Sequence, residues 1–288
     1  MERPRLKGAR TVLITGASSG IGAACARYLS EEGFRVIGTV RKEQDAESLR
    51  ASPGGVMPLL LDVTDHDAVR RLPDMLAGHG VTSLDGLVNN AGIAVAGPVE
   101  MTSMEGWRMQ FDVNVLAQVA VTQALLPLIR DARGCIVMMS SIAGRTSFPF
   151  MGPYTSSKFA VEAMSDSLRM EVARFGVRVV IIEPATTSSP FWKRGVKLAE
   201  DFQRDDEAAS SIEPLYRRGL ERMAGQAQRE EATGISTDEV ARVVYRALTA
   251  TKPRTRYVVG NFEGRLRARL RHLPDRFRDS LIKSVLKL

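Results

Sequence analysis

A tyrosine and a lysine stand four residues apart in the segment Tyr154-Thr155-Ser156-Ser157-Lys158, which begins a predicted helix. This spacing puts the phenol and the ammonium on one face of the helix. A phenol with a pKa of about 10 is a poor base at neutral pH, but a nearby cation favours the phenolate and lowers that pKa. The pair predicts a proton-transfer site with Tyr154 as general acid or base. Alone, such a pair is more often a solvated surface contact, so the prediction depends on partners.

Two polar residues elsewhere in the chain could join this pair. Ser141 ends a predicted strand and lies 13 residues before Tyr154, and Asn114 lies in the long predicted helix that precedes the strand. Each side chain could point into the crevice that holds Tyr154 and Lys158. The predicted catalytic residues are therefore Asn114, Ser141, Tyr154 and Lys158.

A glycine-rich turn, from Thr15 to Gly22, follows the first predicted strand and opens the first helix. Glycines permit a tight turn and a close approach of backbone to a pyrophosphate, whose charge the helix N-terminus stabilises. The spacing differs from the common G-x-G-x-x-G fingerprint, so the turn is weighed together with residues at the ends of the third and fourth strands. The predicted nucleotide-binding residues at these places are Gly16, Ser18, Ser19, Gly20, Ile21, Gly22, Asp62, Val63, Asn90, Ala91 and Gly92.

The end of the second predicted strand bears on the choice of cofactor. It reads Val40-Arg41-Lys42, without the acidic residue that NAD enzymes usually place there for the ribose hydroxyls. Arg41 together with Ser18 could hold a 2′-phosphate, which favours NADP(H). Alternatively Arg41 only covers the adenine ring, in which case NAD(H) is the cofactor.

Short runs rich in Val, Ile and Leu alternate with longer helical patterns, which is typical of a parallel sheet covered on both faces. The predicted strands are 11–15, 35–40, 56–61, 86–89, 135–140, 177–182 and 256–259, and the predicted helices are 20–32, 65–77, 104–131, 154–175 and 237–250. We expect an α/β fold: one Rossmann-type, doubly wound, seven-stranded parallel sheet within residues 1–260. Ligands then gather beyond the carboxyl ends of the strands.

The segment 185–234 interrupts this alternation, with no strand pattern, two short helical pieces and many charges. It leaves directly from a strand end, so we interpret it as a lid over the site; a solvated surface excursion is the alternative.

Composition limits the class of protein. The 288 residues include 44% hydrophobic and 25% charged residues, in the range of an ordinary globular protein. Two cysteines, Cys25 and Cys135, give no support to a disulfide framework or metal site. No run reaches the length of a spanning helix and no signal-peptide core precedes the first strand, so a cytoplasmic location is expected.

The formal charge of +7 is concentrated in the last 29 residues, which carry +5. The rest is nearly neutral, which argues against a nucleic-acid partner. In residues 261–288, leucines, a phenylalanine and a valine recur every three or four residues with arginines between them, predicting a basic amphipathic helix broken near Pro274. This tail could lie peripherally on an anionic membrane surface, or pack on the body or on a subunit neighbour.

Taken together, these motifs resemble the short-chain dehydrogenase/reductase family, over about residues 11–259. The residues that carry the resemblance are the Thr15 to Gly22 turn, Asp62, Asn89 to Gly92, Asn114, Ser141, Tyr154, Lys158 and Pro184. The resemblance implies that Tyr154 is the general acid or base, that Ser141 holds the substrate oxygen, that Lys158 also binds the nicotinamide ribose and that Asn114 supports a water-linked proton relay. It also implies a homodimer or homotetramer.

One position departs from the family pattern. The family has Pro-Gly after the sixth strand and a threonine soon after, whereas this chain has Pro184-Ala185, with Ser189 able to replace the threonine hydroxyl. Pro184 and Ser189 thus complete the predicted cofactor site. Ala185 adopts positive φ less freely than glycine, so the nicotinamide end of that site is expected to be altered.

The segments Phe111 to Val115 and Ser157 to Ala160 resemble the branch with retinol and 17β-hydroxysteroid dehydrogenases, which implies a lipophilic alcohol or ketone as substrate. The predicted apolar wall, of which at least half could instead be core, comprises Ile93, Val95, Phe148, Phe150, Met151, Phe191, Trp192, Leu198 and Phe202. The alternative function is a dinucleotide-binding redox sensor or scaffold without turnover.

Overall fold

The structure is a computed structural model that describes residues 10–52, 54–189, 191–204 and 207–286. In that part of the chain, seven strands form one parallel sheet with the order β3-β2-β1-β4-β5-β6-β7. The strands are β1 Thr11–Ile14, β2 Arg35–Val40, β3 Met57–Leu60, β4 Gly86–Asn89, β5 Cys135–Met139, β6 Arg178–Pro184 and β7 Arg256–Val259. The order reverses next to β1, as in a doubly wound fold. The predicted fold is confirmed.

Helices connect the strands and cover both faces of the sheet. They are α1 Gly20–Glu31, α2 Glu43–Arg50, α3 His66–Arg70, α4 Leu72–Gly78, α5 Met104–Phe111, α6 Ala117–Asp131, α7 Gly152–Val172, α8 Phe191–Asp201, α9 Glu207–Thr233, α10 Thr237–Thr249, α11 Phe262–Arg269 and α12 Asp275–Leu286. The capping box of Ser236 and Glu239 begins α10, at the N-cap that the sequence predicts.

The helices differ from the sequence prediction at four places. Helix α2 was not predicted, the predicted helix 65–77 is two helices, and a π-helical turn, Asp112–Leu116, joins α5 to α6. The second helical piece of the segment 185–234 is not short: α9 has 27 residues.

Alternate residues of each strand enter two different buried layers, because successive side chains point to opposite faces of a sheet. Val12 and Ile14 of β1 pack with residues of α1 and α10, whereas Leu13 packs in the layer that holds Leu125 of α6 and Val161 of α7. Both faces of the sheet are therefore dry. Only the strand ends are free to contact ligands.

The helical run Met104–Asp131 is long and apolar enough to span a membrane, by length and composition alone. The expectation that no run reaches this length was therefore wrong. Within this run Val121, Leu125 and Ile129 are buried beneath the sheet, which is the arrangement of a core helix.

Candidate active site

A cavity of about 690 Å³ lies at the carboxyl edge of the sheet, where the ends of β1, β2, β4, β5 and β6 meet. All but two of the predicted site residues line this cavity. The exceptions are Gly22 and Asn114, which are both buried. The structure thus brings the predicted nucleotide turn and the Tyr154 group into one continuous space.

The nucleotide turn needs its glycines for two separate reasons. Gly16 and Gly20 have φ values of +67° and +57°, in the left-handed region that favours glycine. A Cβ on Gly22 would lie 2.1 Å from the carbonyl oxygen of Gly16, so the packing of α1 against the turn allows no side chain there.

The N-terminus of α1 begins at this turn. Its N-cap, Ser19, makes no side-chain cap hydrogen bond, so that side chain satisfies none of the first backbone N–H groups of the helix. A bare helix N-terminus beside close-packed glycine backbone is a fitting site for a pyrophosphate. The residues present therefore fit a dinucleotide.

Asn90 ties this turn to the end of β4. Its side-chain amide donates to the carbonyl oxygens of Thr15 and Gly16 at 2.9 and 3.1 Å, and its backbone N–H donates to the Thr15 hydroxyl at 2.9 Å. Asn90 thus fixes the shape of the turn as well as lining the cavity.

Arg41, immediately after β2, is exposed at the cavity, as the cofactor prediction requires. Its neighbour Asp62 accepts hydrogen bonds from the backbone N–H and hydroxyl of Thr64, at 2.9 and 2.7 Å. Burial acts to raise the pKa of Asp62, but these hydrogen bonds and the charge of Arg41 outweigh it and lower the pKa. A carboxylate and a guanidinium therefore share the adenosine end of the cavity.

Tyr154 lies in the first turn of α7, with its side chain buried and its ring edge-on to Phe191 at 5.9 Å between centroids. Its hydroxyl is hydrogen-bonded to the hydroxyl of Ser141. Ser141 follows β5, and its Oγ also accepts from the backbone N–H of Ala143 at 3.1 Å. Two hydroxyl groups from different elements thus meet in an apolar surround.

The pKa of Tyr154 is raised to about 12, because burial disfavours the phenolate more than the hydrogen bond from Ser141 favours it. The expectation that Lys158 lowers this pKa was wrong for this geometry. The Lys158 ammonium donates to the carbonyl oxygen of Met139 at 2.8 Å and lies 5.8 Å from the centroid of the Tyr154 ring. Burial lowers the pKa of Lys158 itself to about 8, against the opposing charge of Glu162. Desolvation dominates both groups.

Asn114 lies in the π-helical turn and is fully buried. Its amide accepts from the backbone N–H of Ile93 at 2.8 Å and donates to the Ile93 carbonyl oxygen and to the Ser157 hydroxyl at 3.0 and 3.1 Å. Ser157 in turn donates to the carbonyl oxygen of Tyr154 at 2.7 Å. Asn114 therefore joins the loop after β4 to the first turn of α7.

Gln110 makes a parallel set of contacts that the sequence analysis missed. It accepts from the backbone N–H of Val95 at 2.6 Å and donates to the Ile93 carbonyl oxygen and the Ser157 hydroxyl at 3.0 and 3.3 Å. Its position, four residues before Asn114 on the same helical run, is a signal that could have found it.

Behind the Lys158 side chain lies a buried charge cluster. The carboxylate of Glu183, in β6, lies 3.5 Å from guanidinium nitrogens of both Arg145 and Arg256, and Arg256 also pairs with Glu162 at 3.0 Å. Burial raises the pKa of Glu183 to about 7; the charge of Glu162 adds to this and the two arginines oppose it.

The apolar wall of the cavity differs in part from the predicted one. Five predicted residues line it: Ile93, Phe148, Met151, Phe191 and Leu198. Val95 is buried in the core, Phe150 packs edge-on to Tyr216, and Phe202 packs against Gly106 of α5. The side chain of Trp192 lies outside the described residues.

Residues of α8 and α9 do reach the cavity, including Arg194, Leu198 and Met223. Arg194 donates to the Ser19 hydroxyl at 3.2 Å, and no sequence motif indicated this contact. The segment 185–234 therefore contacts both the nucleotide turn and the apolar part of the cavity.

The basic tail also lines the cavity, which the sequence did not predict. Leu266 of α11, Leu270 after it, and Leu281 and Ile282 of α12 contribute, and the break near Pro274 is confirmed. Ala185 contacts this tail as well and does not have a positive φ, so its backbone conformation does not require glycine. The expected alteration of the nicotinamide end of the cofactor site stays a prediction.

Comparison with known proteins agrees with this geometry. The sequence model of the family described as short chain dehydrogenase matches residues 10–197. An NADPH-dependent 3-dehydrocapnine reductase from Ornithobacterium rhinotracheale is 35% identical over 295 residues, covering 96% of this chain and 98% of the relative. Retinol dehydrogenase 16 from Mus musculus is 38% identical over 261 residues, covering 86% of this chain and 80% of the relative.

A short-chain dehydrogenase from Streptomyces avermitilis has a similar solved structure, with a TM-score of 0.75, 28% identity and 96% of each chain covered. The resemblance stated from the motifs is thereby confirmed, and with it a nicotinamide dinucleotide as cofactor. The chain belongs to the short-chain dehydrogenase family of NAD(P)-dependent oxidoreductases.

Proposed function

We propose that this protein interconverts an alcohol and its carbonyl on a lipophilic substrate, with NADP(H) as cofactor and Tyr154 as general acid or base. One observation carries the proposal. The hydrogen-bonded hydroxyls of Tyr154 and Ser141 lie in the same cavity as the glycine-rich turn, so substrate oxygen and dinucleotide can be held side by side.

In the direction of reduction, Ser141, Tyr154 and Phe191 have different roles. Ser141 holds the carbonyl oxygen, and Tyr154 donates its Oη proton as charge develops on that oxygen. The dinucleotide, when bound, supplies the hydride. Phe191 packs on Tyr154 and keeps water from the phenol.

Lys158 and Asn114 act on the site rather than on the substrate. Lys158 would bind the nicotinamide ribose and present a positive charge near Tyr154, while Asn114 fixes the first turn of α7 through Ser157 and supports the proton relay. The N-terminus of α1, Ser18, Ser19 and Arg194 would hold the phosphates.

At neutral pH the Tyr154 phenol is in the form that donates a proton in carbonyl reduction. Because burial raises the pKa of Tyr154 to about 12, its phenol is protonated and ready to donate. Oxidation would need the phenolate, which burial disfavours.

Arg41 supports the choice of NADP(H), because it is an exposed cation that lines the cavity directly after β2, where the adenosine would lie. The 3-dehydrocapnine reductase, whose name specifies NADPH dependence and which this chain matches over 98% of its length, also supports NADP(H). A preference for NAD(H) would mean that Arg41 only covers the adenine ring.

The substrate is proposed to be a steroid, a retinoid or a similar lipophilic molecule. The described wall residues Ile93, Phe148, Met151 and Leu198 are apolar, and the names of two relatives specify retinol and 3-dehydrocapnine. An apolar wall with a polar Ser141–Tyr154 end suits a molecule with one reactive oxygen.

We also propose a cytoplasmic homodimer or homotetramer with peripheral membrane contact. The exposed apolar residues Leu116, Phe159 and Met170 support a subunit interface. Both cysteines, Cys25 and Cys135, are buried thiols, which suits a reducing compartment.

The function is tested by a panel of retinoid, steroid and long-chain aliphatic ketones, followed by the absorbance of the reduced cofactor with product identification. We expect turnover of at least one panel member by the wild type and by Tyr245→Phe, a tyrosine on α10 away from the cavity. Dinucleotide binding without turnover of any panel member would instead support the redox sensor or scaffold.

A further inference from the structure

The tail helices α11 and α12 form the mouth of the active-site cavity. Leu266 and Leu281 both line the cavity, yet 53% and 40% of their surfaces are exposed to solvent. A side chain that faces both the cavity and the solvent lies at the opening between them. Ile282, the next residue along, is buried and attaches α12 to the body.

The apolar surface continues outward from this mouth. Phe262 precedes Leu266 by four residues, and Phe277 precedes Leu281 by four, so each pair shares one face of its helix. Phe262 and Phe277 are 84% and 62% exposed. We call these four residues the apolar rim. Exposed aromatic rings around a cavity mouth mark a contact surface.

The helices that carry the rim are strongly basic. Residues 261–286 contain seven Lys or Arg and three Asp or Glu. The three acids are already paired within the tail, Glu263 with Arg267 at 2.6 Å, and Asp275 and Asp279 with Arg278 at 3.0 and 3.5 Å.

A positive excess therefore surrounds the rim on its solvent side. Four further cations of the tail are exposed: Arg265, Arg269, Arg276 and Lys283. Arg269 lies three residues after Leu266, on the same helix face, and Lys283 lies two residues after Leu281.

We propose that the apolar rim docks on the surface of an anionic lipid bilayer and turns the cavity mouth toward the lipid. Exposed phenylalanines flanked by arginines match the two parts of such a surface, its acyl boundary and its charged headgroups. A second copy of this chain fits less well, because pairing two rims would bring two positive surfaces together.

The consequence for catalysis rests on the proposed function. A lipophilic substrate passes between the bilayer and the site through Leu266 and Leu281 and does not have to cross water. Binding to the bilayer itself does not depend on that function, so the two can be tested separately.

The test is sedimentation of the intact protein with vesicles of phosphatidylcholine alone and of phosphatidylcholine mixed with phosphatidylserine. We expect binding to the mixed vesicles that weakens as salt rises, since the charge contribution is screened. The double variant Phe262→Ser/Phe277→Ser should bind about tenfold or more weakly, because it loses two apolar side chains from the lipid contact. Neither side chain lines the cavity, so turnover of a water-soluble ketone should stay at the wild-type level.

The matched control is Met104→Ser, which removes a 60% exposed apolar side chain from the first residue of α5, outside the cavity lining. It should bind vesicles as the wild type does. Equal binding by the rim variant and the wild type, or no binding by either, would overturn the docking proposal. A rim variant whose main effect is a smaller oligomer mass would overturn it too, in favour of a second copy. Vesicle binding without turnover of any ketone would leave docking in place and refute the proposed function.

Discussion

The methyl group of Ala185 packs directly against Gly264 and fills the space that a side chain at residue 264 would need. A Cβ on Gly264 would lie 2.6 Å from the Cβ of Ala185, and one on Gly260 would lie 2.9 Å from it. Ala185 lines the cavity directly after β6, while Gly264 lies in the first turn of α11, held there by a hydrogen bond from its N–H to Asn261. Ala185, which departs from the family pattern, thus contacts both the cavity and the tail helix α11.

Replacing Gly264 by alanine should displace α11. Intrinsic helix propensity favours alanine over glycine by about 1 kcal/mol. The methyl groups of Ala185 and of the new alanine are fixed to the backbone, however, and cannot rotate away from each other. Overpacking of this kind costs about 1–3 kcal/mol. We expect Gly264→Ala to lower the melting temperature and to raise the KM for the lipophilic substrate. Thermal unfolding and steady-state kinetics measure both.

The compensating change provides the control. In Ala185→Gly/Gly264→Ala the methyl group moves from one partner to the other, so most of both losses should be restored. Simple addition of the two single effects would contradict a direct contact between these residues.

Much of this fold could be predicted because the strands of a parallel sheet that is buried on both faces have short, nearly continuous runs of Val, Ile and Leu. Strands such as Cys135–Met139 are apolar at every position, and their ends place the polar residues. By contrast, the polar helix α2 was missed because its eight residues, Glu43–Arg50, include only two apolar ones, Ala46 and Leu49.

Arg41 should set the preference between the two dinucleotides. Charge-assisted hydrogen bonds to a phosphate contribute about 1.5–3 kcal/mol, so Arg41→Ala should raise the KM for NADPH by about tenfold or more. The KM for NADH should change little. Arg242→Ala, an exposed arginine of α10, serves as control, and an equal rise in both KM values for Arg41→Ala would contradict the 2′-phosphate contact.

The protonation of Lys158 should appear in the pH profile of reduction. Its pKa is lowered by burial to about 8, so the ammonium is present below that pH and is lost as pH rises through it. We expect kcat/KM to be level near neutral pH and to fall on the alkaline side with an apparent pKa near this value. A profile that stays level to well above pH 9, on the order of one unit past that pKa, would show that the charge of Lys158 is not required.

Glu183 should contribute more to the stability of the folded protein in acid than in base. Its pKa is raised from 4.5 to about 7 in the folded protein, so folding favours the protonated carboxyl. That stability is fully present below the unfolded pKa and is lost as pH rises through the folded one. Glu183→Gln cannot ionise and should therefore raise the free energy of unfolding at pH 8 by on the order of 1–3 kcal/mol, with little effect near pH 5.

Urea unfolding at both pH values measures this difference, with Glu47→Gln, on the exposed face of α2, as control. A stabilisation by Glu183→Gln that is the same at the two pH values would show that ionisation of this carboxyl is not its cause.

The sequence predicted which residues lie together at the cavity, but not their electrostatics or the apolar walls. Residue types and spacing were enough to predict that Ser141 and Tyr154 lie together, because Ser141 follows the end of a strand and Tyr154 lies at the start of a helix. The sign of the pKa change at Tyr154 depends on how completely the fold buries the phenol, which no local pattern records. The contribution of the tail to the cavity mouth likewise depends on where α12 packs, roughly 130 residues along the chain from Tyr154.

The central claim is that Tyr154 supplies the proton, and Tyr154→Phe tests it most directly, since only the hydroxyl is removed. The measurement is the single-turnover rate of ketone reduction, with the Kd of NADPH measured on the same preparation. We predict an unchanged Kd and a rate about a hundredfold to ten-thousandfold lower, the usual contribution of a general acid. A variant that binds NADPH as before and reduces the ketone at the wild-type rate would contradict the account.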